Sequence, residues 1–306
     1  MNFLKLIRYQ NLLLLAFMQL IFRYGFFTFR QIPLALADWQ FNLLVLSTVL
    51  IAAGGYVINN IFDQETDLVN NPKKVIVGAS ISETQAYNIY LALTSSGVVT
   101  GFYLANVIAK PSFAAIFILI AATLYLYATS LKQMMLIGNI VIALLLAFSV
   151  IIVGIFDLFP ATTAANKQQM GIFFSILIDF AVFAFIINLL REMLKDIEDF
   201  EGDNRAGMNT FPIFIGKKKA VKILFGLSFI PLIVILFYIN QYLIELLFVT
   251  FYMLLFVCVP LLFFIIKMWN ASSKQEFHFL SLLLKWILFF GIFSIVIINY
   301  NIKYNA

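Results

Sequence analysis

Asn59-Asn60-Ile61-Phe62-Asp63-Gln64-Glu65-Thr66-Asp67 ends an apolar run that begins near residue 41, and the two together decide the fold. A run of that length crosses the roughly 30 Å of a bilayer's hydrocarbon as one helix. Asn59, Asp63 and Asp67 stand four residues apart, so they form one stripe along the end of that helix. Asn59 still lies inside the apolar run. The pattern returns at Lys195-Asp196-Ile197-Glu198-Asp199-Phe200-Glu201-Gly202-Asp203, again closing an apolar run, with Asp199 and Asp203 spaced by four. Only 15 of the 306 residues are Asp or Glu, and eight of them fall in these two windows. Solvated loop charge, the bland alternative, would not be concentrated this way or keep helical spacing.

Working outward, hydrophobic residues make up 63% of the chain and charged ones 11%. A soluble domain is closer to about half and a quarter, so the composition predicts an all-α, polytopic membrane protein. Apolar stretches lie near 10–29, 41–62, 84–107, 111–130, 135–157, 171–190, 220–239, 242–266 and 279–301, about nine transmembrane helices in one domain covering 1–306. Arg23 and Arg30 make the first stretch the weakest. Lys5 and Arg8 before it could suggest a secretory leader, but the run-on into further spans reads as a first membrane helix. An echo divides the chain: Asn59 precedes Asp63 by four, and Asn188 precedes Glu192 and Asp196 at the same interval. The echo suggests four-helix halves at 1–130 and 135–266 plus a last helix at 279–301.

The net charge of +5 does not point to nucleic acid, because the basic residues sit between apolar spans. With a cytoplasmic amino terminus, fourteen Lys and Arg fall on the inner side and five on the outer, with Lys285 inside a span. The positive-inside rule supports that orientation. It places both acidic windows at the cytoplasmic face of the cell (inner) membrane. Cys258, the single cysteine, excludes an internal disulfide and reads as core; His278 reads as surface. Asp157 is expected on the outer surface.

Two carboxylates about 6 Å apart repel by roughly 3 kcal/mol at an effective dielectric near 20. Four gathered in one place call for a multivalent cation, and oxygen-only ligands suit Mg²⁺. Basic residues surround the acids: Lys73 and Lys74 follow the first window, Arg191 and Lys195 lead into the second, and Lys132 follows Tyr127 at the end of the fourth span. Cations beside metal-bridged anions form a phosphate clamp. A diphosphate on a hydrophobic tail suits such a place, its head at the mouth and its chain between helices.

Asn59-x3-Asp63-x3-Asp67, Tyr127-x4-Lys132 and the run from Arg191 to Asp203 resemble, in order and spacing over nearly the whole chain, the UbiA superfamily of intramembrane prenyltransferases. The resemblance implies nine helices around a central cavity. It implies that Asn59, Asp63, Asp67, Asp199 and Asp203 hold Mg²⁺ bridging a polyprenyl diphosphate, with Asp196 supporting the same metal site. Asp63, Asp67, Asp199, Asp203, Tyr127 and Lys132 would then be catalytic. Tyr127 would face the allylic cation with its ring or hydrogen-bond the diphosphate, an ordinary interfacial Tyr being the bland reading. Arg8 and Asn11 resemble the family's Arg-x-x-Asn opening and, with Lys73, Lys74, Arg191 and Lys195, would bind substrate; snorkelling is the alternative for Arg8. Asn60 departs from the family, which often has Asp there; Asn keeps an oxygen ligand but loses the charge.

Asn70-Asn71-Pro72-Lys73-Lys74-Val75-Ile76-Val77-Gly78 and Tyr127-Ala-Thr-Ser-Leu-Lys132-x5-Gly138-Asn139 look most like the branch that transfers geranylgeranyl groups to geranylgeranylglyceryl phosphate, a phosphorylated lipid acceptor. Quinone precursors such as 4-hydroxybenzoate or dihydroxynaphthoate, and haem, stay open as acceptors. A cation-coupled transporter would instead place its acids at mid-membrane in broken helices. A structural membrane protein would not need the acids at all.

Overall fold

The computed structural model describes residues 2–70, 72 and 75–305. Among the described residues, nine long helices form an antiparallel succession: α1 Tyr9–Thr28, α2 Asp38–Phe62, α3 Glu83–Val107, α4 Pro111–Thr129, α5 Ile137–Leu158, α6 Lys167–Glu198, α7 Lys217–Leu243, α8 Leu247–Asn270 and α9 Lys274–Asn305. Eight of them are long and apolar enough to cross a membrane. The exception, α3, spans 25 residues, about 37 Å of helix, but carries more polar and small residues. Those small residues let it lie close against α2. A Cβ on Gly97 would stand 2.6 Å from the Ile51 side chain, and Ser47 Oγ donates to the Gly97 carbonyl at 2.7 Å. Close backbone approach of this kind is how helices associate where lipid removes the hydrophobic drive between them.

The expectation of about nine helices is therefore met, and the chain is an integral membrane protein. One apolar core, including Phe264, Phe277 and Leu284, joins α6 to α9; a second, including Phe22, Phe41 and Phe156, joins α1, α2, α4, α5 and α6. Cys258 is buried in the first. Both acidic windows lie at one end of the bundle, because α2 and α6 run in the same direction.

Asp157 corrects the sequence reading. It is fully buried, not at the surface. Arg23, 3% exposed, forms an ion pair with it at the end of the bundle remote from the acidic windows. The guanidinium also donates to the Leu36 carbonyl at 2.7 Å and to Asp38 at 3.0 Å, and lies 4.8 Å from the centre of the Phe41 ring. Asp157 in turn accepts from the Leu36 backbone N–H at 3.0 Å. Both partners sit in wide π-helical turns, Ile21–Thr28 and Gly154–Leu158. Those turns re-aim the side chains inward. This explains how an arginine interrupts the first span without ending it. Removing one partner of a buried pair leaves a bare charge, at a cost of about 3–5 kcal/mol. Asp157→Ala should therefore lower the thermal unfolding temperature of the purified protein sharply, and Arg23→Met combined with Asp157→Leu should recover most of the loss.

Candidate active site

Helix α2 ends at Phe62, and Asp63 takes φ −93° and ψ 5°. A short helix, Gln64–Asn70, then continues. The four-residue rhythm survives the bend: Asp63 N donates to Asn59 O at 2.9 Å and Asp67 N to Asp63 O at 2.8 Å. Thr66 Oγ1 also donates to the Asp63 carbonyl, and Gln64 Nε2 to that of Ile61. The stripe is thus kinked rather than straight. Helix α6 repeats the device, with Asp199 at φ −95° and ψ 9° before the short helix Phe200–Arg205.

The two short helices pack on each other, fastened by Asn70. Its Nδ2 donates to the Asp199 carbonyl at 3.1 Å, its Oδ1 accepts from Gly202 N at 3.0 Å, and its own carbonyl accepts from Lys274 Nζ at 2.7 Å. Gly202 is required for this approach, since a Cβ there would stand 2.3 Å from Asn70 Nδ2.

Within this arrangement Asp63 forms an ion pair with Lys132 and accepts from Asn59 Nδ2. Asp196 accepts from Asn139 Nδ2 at 2.9 Å, and Lys274 Nζ stands 3.8 Å from Asp199. Burial, then the charge of Glu198, pushes the Asp199 carboxyl up to about 6. Burial, then the charges of Asp199 and Asp63, pushes Asp203 up to about 7. Asn59 Oδ1 and Asp199 Oδ1 are buried with no hydrogen-bond partner. Among the described residues no three acids are drawn together tightly enough to hold a metal as they stand. The donor set nevertheless fits a hard divalent cation: oxygens only, two of them buried without a hydrogen bond, with like charges that resist ionisation unless a cation joins them.

Behind the acids lies a cavity of about 150 Å³. Its deep walls are apolar, including Ile51, Phe117, Ile120, Leu124, Phe148 and Ile152, and its polar end carries Arg8, Asn59, Tyr127, Arg191, Glu192 and Lys195. Arg8 lines the mouth of this cavity and stays exposed. Its backbone sits at φ 49°, a left-handed position that turns the chain ahead of α1, and its guanidinium lies 5.3 Å from the centre of the Tyr56 ring. Asn11 lines a neighbouring cavity and accepts from Lys285 Nζ at 2.8 Å. Lys73 and Lys74 lie outside the described residues. Asn60 donates to the Tyr56 and Leu6 carbonyls at 2.7 and 3.3 Å, which ties the amino-terminal segment to α2. His278 is exposed and 3.1 Å from Glu198.

Glu192 received no role from sequence. It is 8% exposed and pairs with Lys195 at 2.5 Å and Arg191 at 3.3 Å at the cavity wall. The signal was the Asn188, Glu192, Asp196 spacing, which puts all three on one stripe of α6. Asn70 and Asn139 stood in the branch-like motifs without a site role, and Lys274 had none, because their partners are distant in sequence.

A helical membrane bundle with an acid-rimmed, largely apolar cavity at one end is the class that these observations define. The UbiA prenyltransferase family matches residues 13–297, and the chain belongs to it. The digeranylgeranylglyceryl phosphate synthase of Sulfolobus acidocaldarius is 35% identical over 198 residues, 62% of this chain and 65% of that protein. That of Thermococcus kodakarensis is 33% identical over 198 residues, covering 62% and 64%. The match spans less than two thirds of either relative's length. A UbiA homolog from Archaeoglobus fulgidus, solved with GPP and Mg²⁺, shares the fold at a TM-score of 0.61 and 18% identity, covering 96% of this chain and 99% of that one. The apo UbiA homolog of Aeropyrum pernix K1 does so at 0.65 and 14%, covering 98% of each.

If the two motifs hold a cation jointly, Mg²⁺ at a hundred times its dissociation constant stabilises the protein by about 2.7 kcal/mol. The Mg²⁺-dependent rise in unfolding temperature should vanish in Asp63→Asn and in Asp199→Asn, and shrink in Gly202→Ala. An undiminished rise in all three variants would mean that the acids do not act together.

Proposed function

We propose that this protein transfers a prenyl group, of the geranylgeranyl class, from a polyprenyl diphosphate to geranylgeranylglyceryl phosphate and releases diphosphate. The observation that carries the proposal is the convergence of two acidic helix ends, with Asn59 and Asp199 oxygens buried without a hydrogen bond, over an apolar cavity whose mouth is cationic. The relatives' names favour the glycerophosphate acceptor, and the A. fulgidus homolog solved with GPP and Mg²⁺ favours a prenyl diphosphate donor. The acidic end is assigned to the cytoplasmic side from the fourteen-to-five distribution of basic residues.

In this reading the bond between the donor's C1 and its diphosphate oxygen breaks, and the electron pair leaves with diphosphate. The oxygen of the acceptor's hydroxyl then bonds to C1, and its proton passes to the departing diphosphate. Asn59, Asp63, Asp67, Asp199 and Asp203 would hold Mg²⁺, with Asp196, oriented by Asn139, beside them. Bound there, Mg²⁺ would neutralise charge growing on the departing diphosphate. Lys132, Arg8 and Lys195 hold the outer oxygens of the diphosphate. Glu192 keeps Arg191 and Lys195 aimed at the cavity, and Tyr127 presents its ring to the allylic cation. The apolar walls exclude water, which would otherwise capture that cation.

Purified protein given labelled geranylgeranyl diphosphate, Mg²⁺ and a panel of acceptors should prenylate geranylgeranylglyceryl phosphate, and EDTA should abolish the product. Asp63→Asn or Asp199→Asn should lower kcat by about a hundredfold or more. Full turnover in both variants would overturn the site. Transfer to 4-hydroxybenzoate instead would overturn the acceptor.

A further inference from the structure

A second cavity, of about 90 Å³, lies beside the first. The two share the walls made by Leu15, Ala52, Tyr56, Leu146, Ser149 and Arg191. Its polar groups are Asn11, Tyr56, Ser149, Asn188, Arg191 and Lys285, and the remainder, including Leu12, Met18, Val150, Leu288 and Ile292, is apolar.

Lys285 is the unusual member. It sits well inside the apolar span of α9, where an ionisable side chain marks a function by default. It is half-buried, and its ammonium donates to Asn11 Oδ1 at 2.8 Å. Among the described residues no carboxylate stands within ion-pair distance of it. Arg191, on the shared wall, spends Nη1 on Glu192, while its Nε is buried without a partner. The charged side chains lining the two cavities are Arg8, Arg191, Lys195 and Lys285 against Glu192 alone, an excess of three positive charges. The acids and the donor's diphosphate are matched to the first cavity. Lys285 lines only the second.

We propose that the second cavity seats the acceptor, with its phosphate on Lys285, Arg191 and Asn11 and its hydrocarbon chain along α1 and α9. The inference rests on the reading of the chain as a prenyltransferase with a phosphorylated lipid acceptor, and gives that acceptor a place. An ammonium and a guanidinium with a spare N–H together suit a phosphate monoester, whose oxygens accept from both. The common wall at Tyr56 and Arg191 sets the two amphiphiles side by side, so that the acceptor's hydroxyl can approach the donor's C1. Lys285 thereby becomes a specificity-determining residue for phosphorylated over neutral acceptors.

Equilibrium binding in nanodiscs tests this without turnover. The probes are geranylgeranylglyceryl phosphate, its dephosphorylated counterpart geranylgeranylglycerol, and a non-cleavable thiodiphosphate analogue of the donor with Mg²⁺. Lys285→Gln should weaken the phosphorylated lipid about tenfold or more, and leave the neutral lipid and the donor analogue unchanged. Unchanged donor binding also shows that the variant folds. Lys285→Arg should recover most of the loss. Inorganic phosphate should compete weakly, since the apolar wall supplies the rest of the affinity; strong competition would make this a free-anion site and overturn the proposal. So would equal loss for both lipids, loss of the donor analogue, no loss at all, or a loss confined to Lys73→Ala and Lys74→Ala. If the phosphorylated lipid binds through Lys285 but is never prenylated, the proposed reaction fails and this seat stands. If it is prenylated with the same acceptor KM in Lys285→Gln, the reaction stands and the seat fails.

Discussion

Carboxylates at the end of an apolar bundle repel each other, and each loses hydration when its neighbours close in. Here the repulsion is built in: burial and then a neighbouring carboxylate, Glu198 for Asp199 and Asp199 for Asp203, push both toward neutrality. Such an arrangement is stable only with countercharge. Part of it is covalently present, as Lys132 on Asp63 and Lys274 near Asp199. The rest is the opening for a divalent cation, and the placement of the surrounding groups follows from keeping that opening intact. Asn70 and Gly202 hold the two short helices together against the repulsion. The matched bends at Asp63 and Asp199 turn both stripes over the same cavity mouth.

Charge is sorted along the bundle axis. Acids occupy the rim, cations the cavity's polar end, and hydrocarbon the interior. At the opposite end Arg23 and Asp157 neutralise one another in full burial. An amphiphile with an anionic head therefore has one orientation in which every part meets its complement. Glu192, clamped by two cations, offsets part of the positive charge at the cavity's polar end.

The fold was legible because its cause is local: span length and hydropathy read straight off the chain, and α3, the least apolar helix, was still marked by its length. The acidic stripes were legible because a period of four survives the kinks that sequence did not show. Contacts between distant segments stayed hidden. Nothing around Asn70 announces that its side chain meets Gly202, and nothing around Lys285 announces Asn11. Asp157 was misplaced because a charge near a span's end looks exposed until its partner, Arg23, is brought across the bundle.

The central claim is that the two motifs bind one set of cations together. Crystals grown with Mn²⁺ and a non-cleavable prenyl thiodiphosphate test it by anomalous diffraction. The account predicts metal peaks ligated by oxygens of Asp63 or Asp67 on one side and of Asp199 or Asp203 on the other, with diphosphate oxygens between. Peaks held by one motif alone, or none between the motifs, would contradict it.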